Sequence, residues 1–134
     1  MISYQDLIKL AIQARTQSYC PYSGYAVGAA LLCKDGTIYT GCNIENASFS
    51  PTNCAERTAF FKAISEGQRE FASIAIVGGK SELEECYPCG VCRQVMAEFC
   101  DEDFEVVCGR SSDAYKVLKL ADLLPKSFRI QREQ

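Results

Sequence analysis

With 134 residues, 48% of them apolar, the chain has sequence enough to bury one core and too little for two. A net charge of −3 and a pI near 5.0, with the basic residues scattered, exclude the positive stripe that a phosphate backbone demands, so no nucleic-acid substrate is expected. Histidine is absent, which removes Ser/His and Cys/His catalysis and every imidazole-ligated metal site.

In chain order, Leu7, Ile8, Ala11 and Ala14 recur at helical steps and predict a first helix ending near Ser18, before Pro21. The N-terminal stretch carries Asp6 where an export signal would be basic, and no apolar run reaches membrane-spanning length, so a cytoplasmic protein with no membrane partner is expected. Ala26 to Cys33 and Thr37 to Cys42 read as β-strands joined by Lys34-Asp35-Gly36, an Asp-Gly hairpin signal that makes them antiparallel neighbours. Residues 43–53 are rich in Asn, Ser, Pro and Thr and read as a surface loop. That loop feeds a helix from Cys54 to Gly67 that buries Ala55, Ala59, Ala63 and Ile64.

Phe71 to Val77 is almost wholly apolar, the pattern of a mid-sheet strand covered on both faces. A helix from Cys89 to Cys100 follows, with Val91, Val95, Met96 and Phe99 on one side. Phe104 to Cys108 and Tyr115 to Leu118 are strands whose connection is too short for a parallel crossover, so they should pair antiparallel; a helical turn, Ala121 to Leu124, precedes Pro125. The order implies one α/β domain over residues 1–134, a three-layer sandwich with a five-stranded mixed β-sheet and flanking helices.

The chemistry concentrates at two helix starts, Cys54-Ala55-Glu56 and Pro88-Cys89-Gly90-Val91-Cys92. Helix N-termini present unpaired N–H groups and a positive dipole end, which favour the thiolate that zinc needs. The odd cysteine count and missing export signal argue for reduced thiols, some holding metal. Cys54, Cys89 and Cys92 then make a three-ligand set with a fourth position open to water, as in a catalytic zinc site, and Glu56 lies near enough to handle that water's protons. Three thiolates on a dication sum to −1, so a cation should compensate; Arg57 is the candidate, donating to the sulfurs.

Plainer readings compete. Glu56 could close a capping box begun by Asn53. Cys86, Cys89 and Cys92 could belong to an iron–sulfur run, to a closed structural zinc site with Cys86 as fourth ligand, or to a redox pair. Cys20, Cys33, Cys42, Cys100 and Cys108 read as small apolar residues, and Asn43, Glu45, Tyr25, Phe49 and Phe128 default to loop or packing roles.

C-A-E followed by P-C-x-x-C is the cysteine form of a zinc-deaminase signature. With Pro21-Tyr22-Ser23, residues 27–32, Gly41-Cys42-Asn43-Ile44-Glu45-Asn46-Ala47, residues 54–59, residues 88–95 and Leu123-Leu124-Pro125, the chain resembles the small homotetrameric zinc-dependent cytidine deaminases over nearly its whole length. The resemblance implies hydrolytic deamination of cytidine and deoxycytidine to uridine and deoxyuridine, in pyrimidine salvage, by zinc-activated hydroxide adding at C4. One zinc per subunit would sit on Cys54, Cys89 and Cys92, with Glu56 as proton shuttle. It further implies Asn43 and Glu45 on the ribose hydroxyls, the Ala55 backbone at the pyrimidine edge and Tyr25 beside the substrate. Phe128 from a neighbouring subunit would cover the base, the active sites lying at subunit contacts of a homotetramer. The chain departs from the family pattern at Tyr25, where Phe is usual, at Phe49, where Tyr is common, at Tyr87, where Ser is common, and in the tail Arg129-Ile130-Gln131-Arg132. Independently of the resemblance, residues 40–56 hold no Lys or Arg, which suits a neutral nucleoside better than a nucleotide.

Overall fold

In the computed structural model, which describes residues 1–130, Ser3 accepts a hydrogen bond from the Asp6 N–H at 3.1 Å and caps helix α1 (Tyr4–Arg15). The helix stops short of the expected Ser18. Thr16, Gln17 and Ser18 still turn, but their N–H groups bond to carbonyls three residues back, so the tightened exit carries the chain past the last α-helical residue. Gln131, Arg132 and the end of the expected 1–134 domain lie outside the described residues.

β1 (Ala26–Cys33) and β2 (Ile38–Cys42) form the expected antiparallel hairpin, with Gly36 at φ 92° and Asp35 Oδ1 accepting from the Thr37 N–H at 2.9 Å. After α2 (Ala55–Ser65), strand β3 (Phe71–Gly79) pairs antiparallel with β1 and, across α3 (Gly90–Phe99), parallel with β4 (Glu105–Ser111). β5 (Ala114–Lys119) returns antiparallel, as its short connection requires, and α4 (Leu120–Leu123) closes the core. The sheet order is β2-β1-β3-β4-β5, the mixed five-stranded sheet expected from the sequence.

Alternation along the strands divides the core into two layers. Ala30, Leu32, Ala75, Val77 and Val107 face Leu7, Ile8 and Ala11 of α1, while Leu31, Ile74, Ile76 and Val106 face Ala59, Phe60 and Ala63 of α2 and Cys92 and Met96 of α3. β3 is central because both of its faces are covered. On α3 the buried stripe is centred one residue later than the sequence pattern suggests: Cys92, Met96 and Ala97 are buried, whereas Val91 is 57% exposed and Val95 and Phe99 are half-buried. The i, i+4 pair from Cys92 to Met96, not Val91 to Val95, points at the sheet.

This topology brings the two helix starts together. β2 and β3 each run antiparallel to β1, so both end at the same edge of the sheet. α2 and α3 pack on the same face, and each therefore begins above that edge. Close approach of α2 to β2 depends on Gly41, where a Cβ would lie 2.5 Å from the Ala55 carbonyl oxygen and 2.6 Å from the Ala59 nitrogen. Gly41→Ala should push α2 off the sheet, costing about 1–3 kcal/mol by overpacking. The urea midpoint should fall together with metal content; an unchanged midpoint would show that the contact yields at no cost.

Candidate metal and active site

Cys54 occupies the N-cap position of α2, and Cys89 that of α3, both with extended backbone and neither making a side-chain cap bond. Their sulfurs are left free to turn toward one another. The Sγ atoms of Cys54, Cys89 and Cys92 all lie within 4.8 Å of each other, the one such cluster of metal-ligating side chains among the described residues. Zn–S bonds of about 2.3 Å in a tetrahedron separate neighbouring sulfurs by about 3.8 Å; the Cys54–Cys89 separation is 3.7 Å. The cluster therefore fits one zinc ion. Cys86 stands outside it, half-buried, with burial pushing its thiol up to about 11, so a closed four-thiolate site is not formed.

Charge at the cluster favours a thiolate at Cys54. The Cys54 thiol is pulled down to about 5, first by its hydrogen bond from Cys92 and then, against burial, by Arg57 and Cys89, while the same bond shifts Cys92 upward. Arg57 donates from Nη2 to Cys54 Sγ at 3.3 Å, as its place in the first turn of α2 suggests. Its Nε is buried without a hydrogen-bond partner. A guanidinium dedicated to sulfur should matter more for reactivity than for packing. Arg57→Ala should lower turnover by roughly tenfold or more, the worth of a hydrogen bond to a metal-ligating sulfur, with little loss in thermal midpoint; equal turnover would count against the role.

Glu56 is 4% exposed, and burial raises its carboxyl to about 7, where it can both take and give a proton near neutrality. It is not part of a capping box with Asn53. Cys54 takes the N-cap position, and the Asn53 amide instead donates to Thr58 Oγ1 at 3.1 Å.

A cavity of about 300 Å³ opens onto these groups, lined by Cys54, Ala55, Glu56 and Cys89 together with Tyr25, Asn43 and Glu45. Contrary to the surface loop expected, Asn43 is buried: Oδ1 accepts from the Val27 N–H at 2.9 Å and from the Ser18 hydroxyl, and Nδ2 donates to the Tyr25 carbonyl at 2.7 Å. An amide carries a second Nδ2 proton, which remains for a ligand oxygen. Glu45 Oε1 accepts from the N–H groups of Tyr22 and Ser23 at 3.0 and 3.1 Å, and Oε2 from the Ser23 hydroxyl, which foremost holds this carboxyl below its usual range. It is therefore a fixed anion facing the cavity.

Among the expected site residues, Cys92 and Arg57 stand behind the cavity wall, and Phe128 lies outside it, 70% exposed, its carbonyl accepting from Gln94 Nε2 at 2.8 Å. Cys86 and Tyr87 also line the cavity, as do Ser23, Val27, Thr52 and Asn53, for which the sequence suggested no individual part in a substrate site. Phe49 is 73% exposed with φ 62°, beside a second cavity lined by Tyr22, Asn46 and Thr52.

A clustered thiol set, an open cavity and a buried carboxyl between two helix starts are the parts of a metal-dependent hydrolytic site. Residues 1–109 match the model of the cytidine and deoxycytidylate deaminase zinc-binding region, and the chain belongs to that family. It is 52% identical to a cytidine deaminase of Halalkalibacterium halodurans over 124 residues, 92% of each chain. To one of Sporosarcina psychrophila it is 50% identical, over 92% of this chain and 90% of the other. A solved cytidine deaminase structure from Burkholderia pseudomallei superposes with a TM-score of 0.87 at 46% identity, covering 95% of this chain and all (100%) of the other.

Proposed function

We propose that the chain is a zinc-dependent cytidine deaminase, hydrolysing cytidine to uridine and ammonia and accepting deoxycytidine as well. The observation that carries the reading is the buried Glu56 carboxyl, which lines one cavity with Cys54 and Cys89, two of the three clustered sulfurs. The family match and the named relatives support the substrate.

Cys54, Cys89 and Cys92 would hold zinc, which when bound supplies Lewis acidity that brings a water close to neutral pKa. Glu56 takes a proton from a water in the cavity and delivers it to N3 of the ring, which makes C4 electrophilic. Oxygen adds at C4; Glu56 then carries the water's second proton to the exocyclic amine, the C4–N bond breaks, and ammonia leaves. Water and cytidine balance against uridine and ammonia. The Ala55 backbone at the first residue of α2 meets the pyrimidine edge, and Tyr25 lies alongside it.

Asn43 donates its spare proton to a ribose hydroxyl and Glu45 accepts from one. No Lys or Arg is among the residues lining the cavity, and Glu45 would repel a phosphate, so an unphosphorylated nucleoside is the substrate class. Glu45→Ala should lower kcat/KM for cytidine by roughly 10- to 100-fold, the loss of a hydrogen bond to a charged group, and should act through KM. An unchanged KM would remove Glu45 from the sugar site.

We further propose a cytoplasmic homotetramer serving pyrimidine salvage, in which Phe128 covers the base in a neighbouring subunit's site. The strong exposure of Phe49, Phe128 and Ile130 supports such contacts, and no helix among the described residues is long and apolar enough to cross a membrane. The test of the activity is purified protein with cytidine, followed where cytosine and uracil absorb differently, with and without a chelator. Conversion abolished by chelation and restored by zinc is expected. No conversion by zinc-loaded protein would refute it.

A further inference from the structure

Residues 85–89, which lead into the ligand Cys89, belong to no helix or strand, yet Cys89 must hold its sulfur steady against those of Cys54 and Cys92. One side chain spans this gap. Arg93, in the first turn of α3, donates from Nε to the Pro88 carbonyl at 2.7 Å and from Nη1 to the Leu123 carbonyl at 2.7 Å. Its neighbour Gln94 donates to the Phe128 carbonyl at 2.8 Å. The peptide immediately before Cys89 is thus tied through α3 to the end of α4 and the C-terminal segment.

A cation in the first turn of a helix sits at the unfavourable end of the dipole, so charge complementarity with the helix does not explain Arg93. Two carbonyl acceptors, one on the metal loop and one among the unpaired carbonyls at the end of α4, do. The guanidinium's planar fork can serve both at once, which a lysine ammonium at the same place cannot. We infer that Arg93 is a positioning residue of the metal centre, fixing the Pro88–Cys89 peptide and coupling it to the C-terminal segment from Leu123 to Phe128. Coupling of this kind is reciprocal: the bound metal orders the C-terminal segment, and that segment slows loss of the metal.

The inference rests on Cys54, Cys89 and Cys92 being the zinc ligands, a reading that would fail in the unsubstituted protein by an absence of bound zinc. With zinc-loaded protein, the rate of zinc transfer to a chromogenic chelator and amide hydrogen exchange at residues 86–92 and 120–124 are measured for wild type, Arg93→Lys and Arg93→Gln. Release should be roughly 10- to 100-fold faster in Arg93→Gln, the usual effect of losing an outer-shell partner. Exchange should rise in both segments. Arg93→Lys, which keeps the charge and one acceptor, should fall between, and it decides the matter if the glutamine variant does not fold. Release at the wild-type rate in a folded variant overturns the positioning role; faster release with residues 120–124 equally protected overturns the coupling.

Discussion

Glu56→Gln is expected to lower kcat by about 10²–10⁴-fold, the worth of a positioned acid–base group, while leaving fold and zinc content intact. The substitution is nearly isosteric. It removes only the ability to exchange a proton, and burial, which raises the Glu56 carboxyl, also lowers the cost of placing a neutral amide there. The packing cost should therefore be small, and zinc should still bind, because the three sulfurs are untouched. Single-turnover rates with cytidine, beside zinc analysis of the same preparation, separate the effects. Near-normal turnover would mean that another group moves the protons.

Cys89→Ala should be comparably damaging through a different link. Cys89 is an exposed ligand, whereas Cys92 is 1% exposed in the core, so removing the Cys89 sulfur disturbs the metal with little effect on packing. Loss of a ligand should drop zinc well below one per chain and cut turnover by at least about 10³-fold, since a catalytic metal supplies several kcal/mol of charge stabilisation. Thermal unfolding of the metal-free proteins provides the control: wild type and Cys89→Ala should have similar midpoints without zinc and diverge when zinc is added, because only the former gains binding energy. Equal stabilisation by zinc would show that Cys89 is not a ligand.

Local signals in the sequence reach most of the fold. The Asp35-Gly36 turn sets the hairpin, the doubly apolar run at Phe71 places β3 in mid-sheet, and the short link between β4 and β5 dictates their antiparallel pairing. Where the reading slipped, a neighbour decided the outcome. Val91 reads as core by hydrophobicity, but the orientation of α3 is set by Cys92 and Met96 against the sheet. Asn43 reads as loop because Asn is common there, yet the Val27 N–H, the Tyr25 carbonyl and the Ser18 hydroxyl converge on its side-chain amide.

The site is legible unevenly for the same reason. Glu56 and the three cysteines stand out because chemistry demands those residue types near helix starts. That they meet depends on strand direction, with β2 and β3 ending at one edge, which no local pattern encodes. The place of Arg57 against Cys54 follows from helix geometry, three residues along one turn. Arg93 bonding to Leu123 thirty residues away does not, and only the folded chain reveals it.

The most direct test of the tricysteine centre is X-ray absorption at the zinc edge on the purified, zinc-loaded protein. Three sulfurs at about 2.3 Å and one oxygen at about 2.0 Å are expected, the signature of a catalytic site that keeps a position for water. A shell of four sulfurs would make Cys86 a ligand, close that position and contradict the account.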